Sequence, residues 1–303
     1  MSILVTGGTG MVGKALQSLL PEAIYTGSKD YDLMDYEQVE NLFNHINPST
    51  VVHLAAHAGG VVSNNKSPYN FFYNNLIINS HIINACLQFG TKYLIAMSSV
   101  CVYSPEIEQF PITEELSQKG EPDTSIYGYS YAKRMISVQL KCAQQQFGNS
   151  MQSVIINSSN LYGPNDCFDT DKMHVIPALI CKFHNNINNP EVNLLGTGKA
   201  LRQVTFVDDI ARFIVFCIDK QITGEVNFAS PDNLSIKEIS ETIASEIGFN
   251  GHINFSGGLD GILRRDVSIE KCRSFGFNQF TTLGDGIRKT YKWFKHMETN
   301  NAN

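Results

Sequence analysis

The chain has 303 residues, of which 43% are hydrophobic, and a formal net charge of −6. That length allows one large or two modest domains, and the acidic balance without a long basic run argues against a nucleic-acid surface. No apolar segment reaches the ~18 residues of a membrane span, and Met1-Ser-Ile-Leu-Val enters a strand directly, so neither membrane anchor nor signal peptide is expected.

Ser2 to Val5 reads as a short buried strand, followed by a glycine turn and a helix from Met11 to Leu20 that Pro21 ends. Ala23 to Tyr25 is the second strand. Tyr36 to Ile46 has helical periodicity, with Val39, Leu42, Phe43 and Ile46 on one face. Val51 to Leu54 is a third strand. Tyr69 to Phe89 is a long helix stopped by Gly90, and Lys92 to Ser99 is a fourth strand. A helix from Tyr129 to Phe147 stops at Gly148, and Val154 to Ile156 is the fifth strand. Strands alternating with helices predict a parallel sheet covered on both faces.

The pattern then loosens. Helices are expected at Val175 to Phe183, Val207 to Ile218, Ile236 to Ile247 and Leu283 to Phe294, with short strands at Val192 to Leu195 and Ile253 to Phe255. The expected fold class is therefore α/β, a Rossmann-type doubly wound parallel sheet with a smaller mixed α/β domain over its carboxyl edge. Residues 1–160 would form the cofactor domain, with part of 200–230 returning to it, and 161–303 the substrate-binding domain.

Seven cysteines are widely spaced with no CxxC, and eight histidines are scattered without an HExxH pair. A disulfide framework and a metal site are both unexpected. Reduced thiols in a cytoplasm are the simpler reading.

The turn Thr6-Gly7-Gly8-Thr9-Gly10-Met11-Val12-Gly13 lies between strand and helix, with GxxGxxG spacing at Gly7, Gly10 and Gly13. Glycine lets such a turn approach a phosphate, and the helix start at Met11, Val12 and Gly13 offers free N–H groups to a pyrophosphate. This context predicts a dinucleotide site. An acid after the second strand holds the ribose of NAD, and a cation accepts the extra phosphate of NADP. Ser28 and Lys29 stand there and favour NADP, with Asp30 and Asp32 close behind. Asp35 is a candidate for the adenine amino group.

Tyr129 and Lys133 lie four apart on a helix and share a face. Ser99 ends a parallel strand, at the rim where ligands bind. An adjacent ammonium is expected to lower the tyrosine from its usual ~10, and the serine can hold a carbonyl oxygen beside the phenol. The three suit a carbonyl that takes up a hydride.

The glycine turn, Ser99 and Tyr129-x-x-x-Lys133 together resemble the extended short-chain dehydrogenase/reductases, as does His53-Leu-Ala-Ala56, in which Ala55 is a candidate cofactor contact. Narrower matches resemble one branch, the GDP-L-fucose synthases. They are Ser99-Val-Cys101-Val-Tyr103, Gly128-Tyr-Ser-Tyr-Ala-Lys-Arg-Met135, Asn160-Leu-Tyr-Gly-Pro-Asn-Asp166, His174-Val-Ile-Pro-Ala178, and Gly196-Thr-Gly198 followed by Arg202. The resemblance spans about residues 2 to 296.

It implies epimerisation at C3 and C5 of a GDP-linked 4-ketosugar, then reduction at C4 by NADPH. Cys101 would be the base and His174 the acid. Tyr129 would protonate the C4 oxygen, Ser99 orient it, and Lys133 hold the nicotinamide ribose. Arg202 and Arg265 become candidate diphosphate ligands, and Asn160 a wall of the sugar pocket. The resemblance also implies a homodimer through the two long helices. The family pattern is broken at Leu195, where tryptophan is common, at Val100, where a smaller residue is usual, and at Thr9, where some relatives carry arginine. Competing readings are a reductase or epimerase of another GDP-linked ketosugar such as a heptose, an NAD-dependent 4-epimerase or dehydratase, and a non-catalytic NADP-binding scaffold.

Overall fold

The computed structural model describes residues 2–169, 173–258 and 260–301. Strand and helix alternate through the first half: β1 (Ile3–Thr6), α1 (Met11–Gln17), β2 (Ile24–Thr26), α2 (Tyr36–Ile46), β3 (Thr50–His53), α3 (Val61–Lys66), α4 (Pro68–Gln88), β4 (Tyr93–Ser99), α5 (Tyr127–Phe147) and β5 (Gln152–Ser158). The second half is mixed: β6 (Asn160–Tyr162), α6 (Val175–Asn185), β7 (Glu191–Leu194), β8 (Leu201–Arg202), β9 (Val204–Phe206), α7 (Val207–Lys220), β10 (Gly224–Phe228), β11 (Leu234–Ser235), α8 (Ile236–Ile247), β12 (His252–Phe255), α9 (Glu270–Ser274) and α10 (Leu283–Asn301).

Six parallel strands form the main sheet in the order β10-β5-β4-β3-β1-β2. Every residue of β1 and β3 is buried, because helices cover both faces. The chain runs from β1 to the outer strand β2, then crosses to β3 on the other side of β1. This reversal opens a crevice at the carboxyl ends of β1 and β3, where ligands of such sheets bind.

One strand reaches the sheet late. β10 pairs with β5 in parallel, Gly224 against Val154 through Phe228 against Ser158. Immediately before it, α7 packs on α1. Residues 207–228 thus belong with the main sheet and its helical cover. Three smaller two-stranded pairings join β11 with β8, β12 with β7 and β6 with β9.

Local chemistry accounts for several boundaries. Asp35 caps α2, its carboxylate accepting from the Glu37 N–H at 3.0 Å. α8 opens with a capping box: the Glu238 N–H donates to Ser235 Oγ at 3.1 Å, and the Ser235 N–H to Glu238 Oε2 at 2.8 Å. α1 ends at Gln17 rather than Leu20, as the Leu19 and Leu20 N–H groups both turn back to the Leu16 carbonyl. Among the described residues no helix is long and apolar enough to cross a membrane, and no cluster of His, Cys, Asp or Glu could hold a metal ion. All seven cysteines are free.

Candidate active site

At the crevice, the turn after β1 is pressed against the chain leaving β3. Gly7 has a φ of +70°, and a Cβ there would lie 2.6 Å from the Ala55 nitrogen. Only glycine fits that left-handed, crowded position. A Cβ on Gly13 would run into the Gly8 carbonyl, so glycine also lets α1 pack on its own turn. The result is a cleft of about 520 Å³ with Gly7, Gly10, Ser28, Asp32, Ala55 and His57 in its walls. Met11, Val12 and Gly13 form the first turn of α1 behind it, where the opening N–H groups of a helix lack intrahelical partners.

At the far end of the cleft, Asp35 has a structural role. The Asp35 carboxylate is committed to α2. It also accepts from Gln38 Nε2 at 3.0 Å, and that bond leads the effects holding it below the usual carboxylate range. Asp35 is outside the cleft walls, which Asp32, Leu33 and Met34 form instead. Capping thus competes with adenine for this carboxylate. Asp30 is likewise occupied, accepting from the Gly27 N–H at 2.8 Å. Ser28 and Lys29 are exposed beside it, with Lys29 just beyond the walls.

The chemical centre is built where β4 meets α5. Ser99 ends β4 and caps a 3₁₀ turn, Val100–Val102, its Oγ accepting from the Cys101 N–H at 3.2 Å. Cys101 on that turn is 5% exposed. Arg134 fixes α5 to the turn and the loop beyond it, donating to the carbonyls of Val102 at 2.7 Å, Gly120 at 2.7 Å and Lys119 at 3.1 Å. Lys133 Nζ donates to the Met97 carbonyl at 2.8 Å and stands 5.8 Å from the centre of the Tyr129 ring.

Electrostatics here are dominated by burial. Desolvation pushes the Lys133 ammonium down to about 8, against the pull of Cys101. Desolvation raises the Tyr129 phenol, and a thiolate at Cys101 would raise it further. The depressed phenol expected from the Tyr–Lys pair is therefore absent in this structure. The ammonium is tied to a backbone carbonyl and is itself disfavoured by burial. The Cys101 thiol is also raised by desolvation, opposed first by the hydroxyls of Ser99 and Ser130 and then by the charges of Arg265 and Lys133.

The remaining candidates are less closely joined. His174 caps the start of α6 with no side-chain cap bond and lies on the surface, partial desolvation lowering its imidazole. It makes no hydrogen bond with Ser99, Cys101, Tyr129 or Lys133. Arg202 Nη1 donates to the Leu201 and Ile262 carbonyls, each at 2.7 Å, and its charge is disfavoured first by burial and then by Arg265. Arg265 pairs with Asp123 at 3.3 Å, while its buried Nε has no partner. The two guanidiniums thus lie within electrostatic reach of each other, and Arg265 within reach of Cys101. Asn160 starts β6 and is exposed.

Sequence reasoning missed one part of the centre. The Thr6 hydroxyl bonds His53 Nδ1 at 2.7 Å, His53 Nε2 bonds Asn79 Oδ1 at 3.1 Å, and Asn79 Nδ2 donates to the Ala132 carbonyl at 3.4 Å. This buried chain ties the glycine-turn strand to α5. The only sequence sign of it is a histidine in an otherwise apolar strand.

A profile of the NAD dependent epimerase/dehydratase family matches residues 3–229. The chain belongs to that family. Its relatives include a GDP-L-fucose synthase of Dictyostelium discoideum, 32% identical over 97% of this chain and 95% of that protein. A probable GDP-L-fucose synthase of Drosophila melanogaster is 32% identical over 96% of each. The crystal structure of a GDP-L-fucose synthetase from Naegleria fowleri bound to NADP superposes with a TM-score of 0.89 at 30% identity, covering 98% of this chain and 93% of that one. In this member of the family, the cleft over β1 and the cluster under α5 are the candidate sites.

Proposed function

We propose that this enzyme converts GDP-4-keto-6-deoxy-D-mannose to GDP-L-fucose, epimerising C3 and C5 and reducing C4 with NADPH. The observation that carries the reading is the juxtaposition of Cys101 with Ser99, Tyr129 and Lys133. A thiol suited to abstract a proton and a set suited to reduce a carbonyl lie within electrostatic reach of one another. Relatives bearing that activity in their names, aligned over nearly the whole chain, support it.

Residues 1–160, with the segment 200–230 returning, would hold the cofactor, and 161–303 the sugar nucleotide. The glycine-lined cradle and the cation past β2 fit a phosphorylated dinucleotide. Gly7, Gly10, Met11, Val12 and Gly13 would meet the pyrophosphate, Ser28 and Lys29 the ribose phosphate, Ala55 the adenosine side and Lys133 the nicotinamide ribose. When bound, NADPH supplies the hydride. Tyr129 donates its phenolic proton to the C4 oxygen, which Ser99 orients. In the epimerisation, the Cys101 thiolate removes a proton from carbon, the C–H pair moves into the enolate of the C4 ketone, and His174 returns a proton to the opposite face. The C4 carbonyl makes those protons acidic enough for a thiolate. Arg202, Arg265 and Asn160 would hold the diphosphate and sugar.

One observation favours a second reading. Cys101 is raised by burial, and His174 does not touch it. A plain C4 reductase of another GDP-linked ketosugar would need neither. Incubation with NADPH and GDP-4-keto-6-deoxy-D-mannose in D₂O separates the two: deuterium at both C3 and C5 of a fucose product supports the double role. Reduction without exchange leaves the reductase alone.

α4 and α5 pack on each other and leave Tyr69, Tyr73, Val138 and Phe147 exposed. A homodimer through these helices, in a reducing cytoplasm suited to seven free thiols, completes the proposal. A monomeric mass by light scattering at micromolar concentration would reject the dimer.

A further inference from the structure

The buried face of α5 carries four polar side chains at helical spacing: Ser130, Lys133, Arg134 and Ser137. Three have partners. Lys133 bonds the Met97 carbonyl at 2.8 Å, Arg134 the Val102 carbonyl at 2.7 Å, and Ser137 the Glu225 carboxylate at 3.4 Å. Ser130 has no hydrogen bond of ordinary geometry, although its exposure is 0%, and the side chain its hydroxyl acts on is Cys101. A buried hydroxyl without a well-formed bond is destabilising, and alanine would serve packing alone equally well. Such an exception calls for a role.

Its position supplies one. Arg134 holds α5 against Val102, the residue after Cys101. Ser130 stands one helical turn before Arg134 on the same side, where α5 packs on the turn that carries Cys101 and the hydroxyl is within reach of the thiol. We propose that Ser130 is a positioning residue whose hydroxyl waits for the Cys101 thiolate and donates to it when it forms. This rests on the reading of Cys101 as the carbon base.

A neutral thiol is a poor acceptor, so the hydroxyl lacks a good bond while the sulfur is protonated. Ionisation turns the sulfur into a charged acceptor, and bonds to charged groups are the stronger ones. The balance is simple. The thiolate takes hydrogen from C3 or C5, forming S–H as the C–H pair enters the enolate, and Ser130 keeps its own proton throughout. The other groups around the sulfur are Ser99 from β4, Tyr129, Lys133 and Arg134 from α5, and Arg265 from the loop before α9. Ser99 Oγ accepts from the Cys101 N–H and its own proton is assigned to the C4 oxygen, whereas Ser130 has no acceptor other than the sulfur. Desolvation works against the thiolate, so each donor matters.

The test is a pH titration of ultraviolet thiolate absorbance, taken as the difference between each protein and its Cys101→Ser counterpart, in native background, Ser130→Ala and Ser130→Thr. Thermal unfolding of each protein confirms that it is folded. Ser130→Ala is expected to lower the thiolate fraction at a given pH about tenfold, the effect of losing one bond to a charged group. Ser130→Thr, which restores a hydroxyl, should return most of it. Superimposable titrations for native and Ser130→Ala proteins overturn the proposal, whatever the enzyme does to sugars. A tenfold change in a protein that never exchanges C3 or C5 hydrogen supports the Ser130–Cys101 coupling while removing the base reading on which its purpose rests.

Discussion

Lys133 gives a hydrogen bond to the Met97 carbonyl at 2.8 Å, while the Tyr129 ring, one turn away on the same helix, lies 5.8 Å from its nitrogen. The buried ammonium is thus anchored to β4, and its charge is held at a cost. Burial takes Lys133 down to about 8, from ~10.4 in an unfolded chain. Between those values the unfolded chain binds more protons, so stability should rise as pH climbs through that window and be flat below about 8.

Lys133→Met follows from this. It removes a penalty of up to about 3 kcal/mol and leaves the Met97 carbonyl without its donor, a loss of about 1 kcal/mol. The expected outcome is a variant roughly 1–3 kcal/mol more stable near neutrality, with no alkaline rise, and with C4 reduction down at least ~10²-fold. Urea unfolding at neutral and alkaline pH checks it. A less stable Lys133→Met protein with the alkaline rise intact would falsify the assignment of the penalty to this ammonium.

Tyr129→Phe and Cys101→Ser should separate the two halves of the reaction. Tyr129→Phe removes the proton donor for the C4 oxygen and should slow NADPH oxidation by ~10²–10⁴-fold, with deuterium exchange at C3 and C5 continuing. Cys101→Ser replaces a thiol by a far weaker acid. It should abolish exchange and leave reduction, so that the product keeps the mannose configuration at C3 and C5. Product analysis by NMR decides. Loss of both activities in both variants would mean that the residues do not divide the work as proposed.

What sequence could reveal follows from the range of the forces involved. The glycine turn, Ser99 and the Tyr129–Lys133 pair are local signatures of spacing, and the sheet's alternating strands are apolar because both faces are covered. The capping role of Asp35 was not legible because a carboxylate three residues before Gln38 suits a helix start as well as an adenine, and the folded chain shows it accepting from Gln38. β10 was missed because Gly224-Glu-Val-Asn-Phe228 carries polar side chains that distant groups satisfy: Tyr103 donates to Asn227, and Asn157 of the neighbouring strand donates to Glu225. Burial reversed the expected direction for Tyr129, since desolvation is a property of the whole packed site, not of two residues on one helix.

His53 should govern acid stability. It is 1% exposed between Thr6 and Asn79, and burial, then the charge of Lys133, push it down to about 3. An unfolded histidine titrates near ~6.5. The unfolded chain therefore binds the extra proton as pH falls below ~6.5, and folding stability is lost progressively down to about 3, by up to roughly 5 kcal/mol. His53→Gln keeps polar atoms and cannot titrate, so its stability between about pH 6 and pH 4 should fall less steeply. Chemical denaturation across that range measures the slope, and equal slopes would place the acid sensitivity elsewhere.

The cofactor preference turns on Lys29. Asp30, the acid best placed to hold an unphosphorylated ribose, is folded back onto the Gly27 N–H at 2.8 Å. Ser28 and Lys29 are left exposed at the end of β2, where the ribose of a dinucleotide comes to rest. A charge-assisted bond to a phosphate is worth about 1.5–3 kcal/mol. Lys29→Ala should therefore raise KM for NADPH by about ten- to a hundredfold and leave KM for NADH within about twofold. Because the contact is exposed, the native preference should also weaken as salt rises. Steady-state KM for both cofactors at low and high ionic strength gives the answer. If Lys29→Ala shifts the two values together, the cation acts on the fold of the turn rather than on the ribose phosphate, and the choice of NADPH must come from Ser28 and the backbone around it.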